Sequence, residues 1–296
     1  TPSTSSTPLT PSTSSLPPKS QKIPTPISPF SLPPIKLIIK NLKDLHIDPT
    51  LGWCLDEIDL EYIVLGSSLL ACGGGGNAYL GKIKALKELF LWREKNPNTS
   101  TTPIRIIPPE SLSDNDYVAS VAFLGSPAAM FEKLSEGTEC VHAFRELEAY
   151  AKKEFCAIVP LEVGGVNGIE PILTAAVASL PCIDGDSMGR AFPQTQMVSW
   201  FIHGSPVSPA VMTNEKQTIH VISHAKDSTD LENQMRPIAT KMGLIAAVAL
   251  PPLSGDTIKR FSIPFTISQS WEIGRVITKA RIEQTDVIDA VCQSQG

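Results

Sequence analysis

Three short stretches of this chain put carboxylates beside glycines or at the ends of apolar runs, a placement that suits a ligand pocket in which acid–base chemistry can occur. Glu162 and Asn167 bracket Gly164-Gly165, and Asp184 and Asp186 flank Gly185, with Arg190 and Gln196 close behind. Ser126 follows an apolar run ending in Leu124-Gly125, and Glu132-Lys133 come shortly after. A carboxylate can take a proton from water and return one to a leaving group. Two like charges as close in sequence as Asp184 and Asp186 raise each other's pKa, and an arginine can face developing negative charge. Glu162, Asp184, Asp186 and Arg190 are therefore the candidate catalytic residues, with Ser126, Glu132, Lys133, Asn167 and Gln196 as candidate substrate contacts. The competing explanation is that these are caps and turns that happen to be acidic.

The run Gly73-Gly74-Gly75-Gly76-Asn77 lies between two expected helices. Its bare amides and the helix start at Asn77 can hold an anion or a developing oxyanion. Glycine is costly in ordered structure, so four in a row point to a backbone that a ligand or another loop approaches closely; a flexible connector is the alternative. The run lacks the preceding strand of a dinucleotide fingerprint and the Gly-Lys-Ser/Thr of a phosphate loop. Cys72 could act as a nucleophile near a helix start, although a buried small residue fits as well. His203, His220 and His224 have no metal-motif spacing, so the metal is unknown; a divalent ion held by the carboxylates is compatible with the sequence.

The elements that must position these residues alternate. Helices are expected from Asp56 (face Ile58, Tyr62, Leu65, Leu69), from Asn77 (face Leu80, Ile83, Leu86, Phe90), and over 138–153, 169–179, 231–242 and 271–282. Strands are expected over 104–107, 117–124, 157–162, 182–183, 198–202, 219–222 and 244–250. This predicts an α/β fold with three layers: a mainly parallel sheet covered by helices on both faces. In such sheets ligands sit beyond the carboxyl ends of strands, which is where Glu162, Asn167, Asp184, Asp186 and Arg190 fall; one shared cleft is the expectation.

The first 20 residues contain 17 Ser, Thr or Pro, too little apolar material to offset ordering entropy, so residues 1–44 read as a disordered linker, a free disordered terminus being the alternative. Residues 51–212 read as one α/β domain and 213–296 as the start of a truncated C-terminal region. The net charge of -5 and the absence of basic clusters argue against nucleic-acid and anionic-membrane partners. No run is long and apolar enough to span a bilayer. Six cysteines without CxxC spacing fit reduced thiols in the cytoplasm.

Four blocks in order carry a resemblance. Cys72 through Lys82 resembles the glycine-rich signature of the S-methyl-thiohydantoin desulfurase family, and Leu124–Pro127 with Glu132, Lys133 and Glu139 resembles its second block. Glu162–Asn167, and Asp184–Pro193 with Gln196-Met197, resemble the third and fourth. The family was long listed as a domain of unknown function and occurs beside hydantoin-utilisation genes. The resemblance implies an N-terminal three-layer α/β domain, a β-rich C-terminal domain incomplete here, and a small cyclic ureide as partner. It further implies a fragment of a fungal fusion with covalently linked or associated hydantoinase/oxoprolinase-type domains, and is compatible with a homo-oligomer. The chain departs from the pattern at Cys72 (usually Thr or Ser), Asn77 (usually Asp) and Gln194 (usually Glu).

Two classes of function follow. One is a hydrolase that cleaves a C–S bond of a thiohydantoin-type ring by water attack, with Glu162 or Asp184/Asp186 activating water and the Gly73–Gly76 amides or Arg190 stabilising charge. The other is a non-catalytic accessory domain of a hydantoinase-type enzyme, suggested by the linker and the amides at 77 and 194. A nucleotide-binding module is a remote third.

Overall fold

The computed structural model describes residues 39–48, 50–99, 102–133 and 137–294. The expected linker lies outside these up to residue 38. Of its remainder, Lys40 is buried, its Nζ donating to Asp56 Oδ2 and Asp59 Oδ1, both at 2.8 Å.

In chain order the strands are β1 (Ile47–Asp48), β2 (Gly52–Cys54), β3 (Arg105–Ile107), β4 (Tyr117–Gly125), β5 (Ala157–Pro160), β6 (Cys182–Ile183), β7 (Gly185–Asp186), β8 (Ala210–Thr213), β9 (Ile219–Ile222), β10 (Ile245–Ser254) and β11 (Ile263–Pro264). The helices are α1 (Glu57–Leu70), α2 (Ala78–Lys95), α3 (Pro127–Glu132), α4 (Glu139–Ala151), α5 (Glu170–Ala178), α6 (Ser199–Ile202), α7 (Ser228–Lys241), α8 (Gly255–Phe261), α9 (Thr266–Glu283) and α10 (Val287–Ser294).

The α/β class holds, but the sheet is mixed. Its order is β1-β2-β3-β6-β5-β4-β10-β8-β9. Only the central β3, β6, β5 and β4 run parallel; β1–β2–β3 on one side and β4–β10–β8–β9 on the other pair antiparallel. The expected mainly parallel sheet is corrected because β10 returns beside β4 from the far end of the chain. One sheet face buries Val118, Ala122, Val159, Met212 and Val248 beneath Leu231 and Met235 of α7, Trp200 of α6 and Ile258 of α8. The buried residues of α4, including Phe144 and Leu147, lie outside that cluster.

The stretch 198–202 is a short helix within 199–202 and not the expected strand. A brief apolar run has no period long enough to tell the two apart. The N-terminus of α1 is as expected: Asp56 accepts from the amides of Ile58 and Asp59, and Asp59 returns the bond to the amide of Asp56. Its buried face is as expected at Tyr62 and differs elsewhere. Leu69 is exposed, whereas Asp59, Ile63, Gly66 and Ser67 are buried against α9. A β-carbon on Gly66 would come within 1.8 Å of Ser270 O, and one on Gly274 within 1.9 Å of Tyr62 O. The two helices therefore touch backbone to backbone, pinned by Ser67 Oγ–Ser270 Oγ at 3.1 Å and Trp271 Nε1 donating to Asp59 Oδ1 at 3.0 Å. In α2, likewise, the small residues Ala78, Gly81 and Ala85 face inward while Ile83 and Phe90 are exposed.

Candidate functional site

The central strands end in loops that meet around a cavity of about 290 Å³. Its walls come from the glycine run (Gly74, Gly75, Gly76), the end of β4 (Phe123, Leu124), the loop after β5 (Glu162, Asn167), the segment Phe192–Thr195, and Arg236 of α7. Of the expected site residues, Gly74, Gly75, Gly76, Glu162 and Asn167 are brought together here.

Asn167 organises this end of the sheet. The β4–β5 pairing stops at Val121 and Pro160, so Phe123, which faces Ala247 of β10 on its other side, has no strand partner on the β5 side. The Asn167 side chain takes that place: its Oδ1 accepts from Phe123 N at 2.7 Å and its Nδ2 donates to Phe123 O at 3.0 Å. The same Nδ2 donates to Glu162 Oε1 at 2.7 Å, while Phe192 N donates to Glu162 Oε2 at 2.9 Å. Both carboxyl oxygens are thus oriented. Burial raises the Glu162 carboxyl to about 7, the two hydrogen bonds opposing and the nearby Asp186 adding to the shift. A group titrating there can both take and give a proton at neutral pH.

The glycine run has two jobs. A β-carbon at Gly75, where φ is +63°, would lie 2.2 Å from Gly164 O, and one at Gly165 would lie 2.4 Å from Gly75 O. The two glycine loops interlock, so part of the requirement for glycine is packing of one loop on another. Gly74 has only ordinary contacts in its β-carbon direction. Among the described residues the amides of the wall residues Gly75 and Gly76, and of Asn77, which lies off the wall, donate no hydrogen bond. The Asn77 side chain is engaged, accepting from Tyr79 N as the cap of α2.

Asp184, Asp186 and Arg190 do not line this cavity, which corrects the expected single cleft. Asp184 Oδ1 accepts from the amides of Ile267 and Ser268, both at 3.0 Å, and Oδ2 from Ser268 Oγ at 2.5 Å; it secures the start of α9. Asp186 Oδ2 accepts from Val163 N at 2.7 Å, and Oδ1 from Met188 N and Gly189 N at 3.1 and 2.7 Å. Burial raises both carboxyls, Asp186 to about 7. Arg190 is exposed. The remaining expected contacts also lie off the wall. Gly73 faces open space, the Ser126 amide is bound to Leu244 O, and Glu132 is exposed at the end of α3. Lys133 is paired with Glu215 at 2.7 Å, and Gln196 donates to the wall residue Gln194 at 2.8 Å. Cys72 is exposed and off the wall. His220 and His224 are exposed, and His203 stacks on Phe261. Among the described residues no group of three or more His, Cys, Asp or Glu is placed to hold a metal ion.

Several wall residues were not anticipated as contacts, Phe123, Phe192, Thr195 and Arg236 among them. Arg236 Nη2 donates to Pro193 O and its Nε to Glu232 Oε1, both at 2.5 Å; Glu232 Oε2 in turn accepts from Thr195 N at 3.0 Å. Helix α7 thereby holds the segment Pro193–Thr195 against the cavity.

A mixed α/β sheet, a half-open, mostly apolar cavity at the ends of its central strands and one neutral-range carboxyl on its wall make up a candidate small-molecule site. The chain belongs to the S-Me-THD-like family: residues 58–224 match its N-terminal domain and residues 225–296 its C-terminal domain. The resemblance in the four motif blocks holds at the level of the family. In the structure the segment matching the C-terminal domain completes the same sheet through β10 and contributes Arg236 and Ile245 to the cavity. A crystal structure of a protein from Chromobacterium violaceum shares the fold, with a TM-score of 0.64 at 22% identity. The alignment covers 77% of this chain and 62% of that one, so the chain spans less than two thirds of that protein's length. No curated protein matches. Among the described residues no helix is long and apolar enough to cross a membrane.

Proposed function

We propose that the chain is a hydrolase module acting on a thiohydantoin- or hydantoin-type cyclic ureide by water attack and C–S cleavage. The observation that carries this is Glu162, a buried carboxyl raised to about 7 and held by Asn167 and Phe192 N on the cavity wall. Glu162 takes a proton as water adds to the ring carbon that bears sulfur, and negative charge builds on the ring nitrogen. The amides of Gly75 and Gly76 stabilise that charge. The C–S bond then breaks, and the same carboxyl returns its proton to the departing thiolate. Hydantoin and methanethiol are the products of an S-methyl substrate. The rings of Phe123 and Phe192 suit a flat heterocycle. The reading assigns the chain to the reducing cytoplasm, in keeping with its six unpaired cysteines. Association with hydantoinase/oxoprolinase-type domains is part of it.

The test is methanethiol release from S-methyl-thiohydantoin. Glu162→Gln keeps the shape and removes the base, so turnover should fall by roughly 10²–10⁴-fold. Unchanged turnover refutes the assignment. One observation favours the second reading, a binding module without turnover: Gln194, an amide where the resemblance has Glu, stands on the cavity wall bonded to Gln196. Ring binding without methanethiol release, in the wild type and after Gln194→Glu, would decide for it.

A further inference from the structure

A second cavity, of about 370 Å³, is lined by α2, α3 and β10 and is predominantly apolar, with Leu80, Ile83, Phe131 and Val166 among its walls. It shares Phe123, Met130 and Ile245 with the cavity at Glu162. Every charged residue on its wall already has a partner. Lys133 Nζ donates to Glu215 at 2.7 Å and to Met242 O at 2.8 Å. Lys84 Nζ donates to the buried Glu170 and lies 5.3 Å from the centre of the Phe123 ring. Glu139 accepts from Gly137 N at 2.9 Å. Paired in this way, the two lysines have their methylene stems, and not a free charge, to offer a ligand.

The common wall is compliant. Met130 is only partly buried, and its unbranched thioether changes rotamer at little cost. Gly76 leaves it room, since a β-carbon there would stand 3.2 Å from Met130 Sδ. A group extending from a ring in the first cavity past Met130 enters a space of about 370 Å³, larger than any single side chain, whose charged wall residues are all partnered.

We infer that this second cavity receives an apolar substituent carried by the reacting ring. The preferred substrates are then cyclic ureides bearing a branched aliphatic or benzyl group at the saturated ring carbon, in preference to the bare ring or one with an acidic arm. This rests on the reading of the Glu162 cavity as the ring site. Burying four or more carbons makes such a compound at least about thirtyfold tighter in binding than the bare ring.

Calorimetric titration of the full chain tests this with S-methyl-thiohydantoin and its isobutyl, benzyl and carboxymethyl derivatives. The isobutyl and benzyl compounds should bind at least about thirtyfold tighter than the bare ring, and the carboxymethyl compound no tighter. Ile83 is 41% exposed, so Ile83→Trp should fold, narrow the cavity and cut the benzyl preference by about tenfold. Phe131→Ala, at a residue 66% exposed, opens one wall and should cost the benzyl compound several-fold; melting curves check that both variants fold. Equal affinities across the series, or a benzyl preference that survives both variants, overturns the inference and leaves the ring site standing. Failure of all four compounds to bind overturns the ring site and the inference together.

Discussion

Glu162 and the pair Asp184 and Asp186 are the same functional group in two settings. All three are buried, and burial raises all three carboxyls. Asp184 and Asp186 each accept three hydrogen bonds, five of the six from backbone amides, and neither lines the cavity. Glu162 accepts two, and lies on the cavity wall. A shifted pKa alone therefore does not separate a working acid from a structural one. Spare hydrogen-bonding capacity next to a space that a substrate can enter does.

The most forceful way to break the comparison is to remove Asp186. Asp186→Ala leaves three amides without their acceptor and should cost roughly 3–5 kcal/mol in urea unfolding. Glu162→Gln, which keeps the size but turns one of the two acceptors into a donor facing Asn167 Nδ2 or Phe192 N, should cost less, roughly 1–3 kcal/mol. Similar losses for the two variants would erase the distinction.

The pH dependence sharpens the comparison at intermediate size. Glu162 and Asp186 titrate near 7 when folded and near their ordinary values of about 4 when unfolded. Between those values the folded state holds more protons, so stability is highest at the acid end and declines as pH rises through 7, by up to roughly 3 kcal/mol per group. Glu162→Gln should remove about half of this decline, read from unfolding midpoints across pH. In the wild type kcat/KM should climb over the same window, because the first step needs the carboxylate; a profile flat from 5 to 8 would contradict that role.

The smallest effect belongs to Arg190. It is exposed and off the cavity wall, so Arg190→Ala should change stability by less than about 0.5 kcal/mol and leave turnover unchanged. A large loss of turnover would return the Asp184–Arg190 loop to the site.

What could be read from the chain was local. Apolar runs closed by glycine or proline mark β3 to β6 and β10, β-branched residues mark β9, and Asp56 marks the start of α1. Glu162, Asn167 and Gly74–Gly76 were legible because an acid beside paired glycines is unusual for a simple turn. The inward faces of α1 and α2 were legible only in part, at Tyr62 and Leu86. Gly66, Gly81 and Ala85 mark them by being small, and an apolar period counts large side chains instead. Asp184 misled because its donors, Ile267 and Ser268, arrive from a distant helix. Arg236 and Phe123 escaped notice because only the docking of α7 and β10 on the sheet brings them beside Glu162.

The position of β10 has a consequence for synthesis of the protein. It lies between β4 and β8, with Ile245 opposite Gly125, so β4 must wait for the whole intervening chain to leave the ribosome before it meets its neighbour. Until then one side of β4 and one side of β8 are open hydrogen-bonding edges, the kind of surface that recruits stray strands. Nascent chains halted before β10 should depend on chaperones and pellet readily. Release of a few dozen further residues should make them soluble in a single step, with the cavity closing at the same moment.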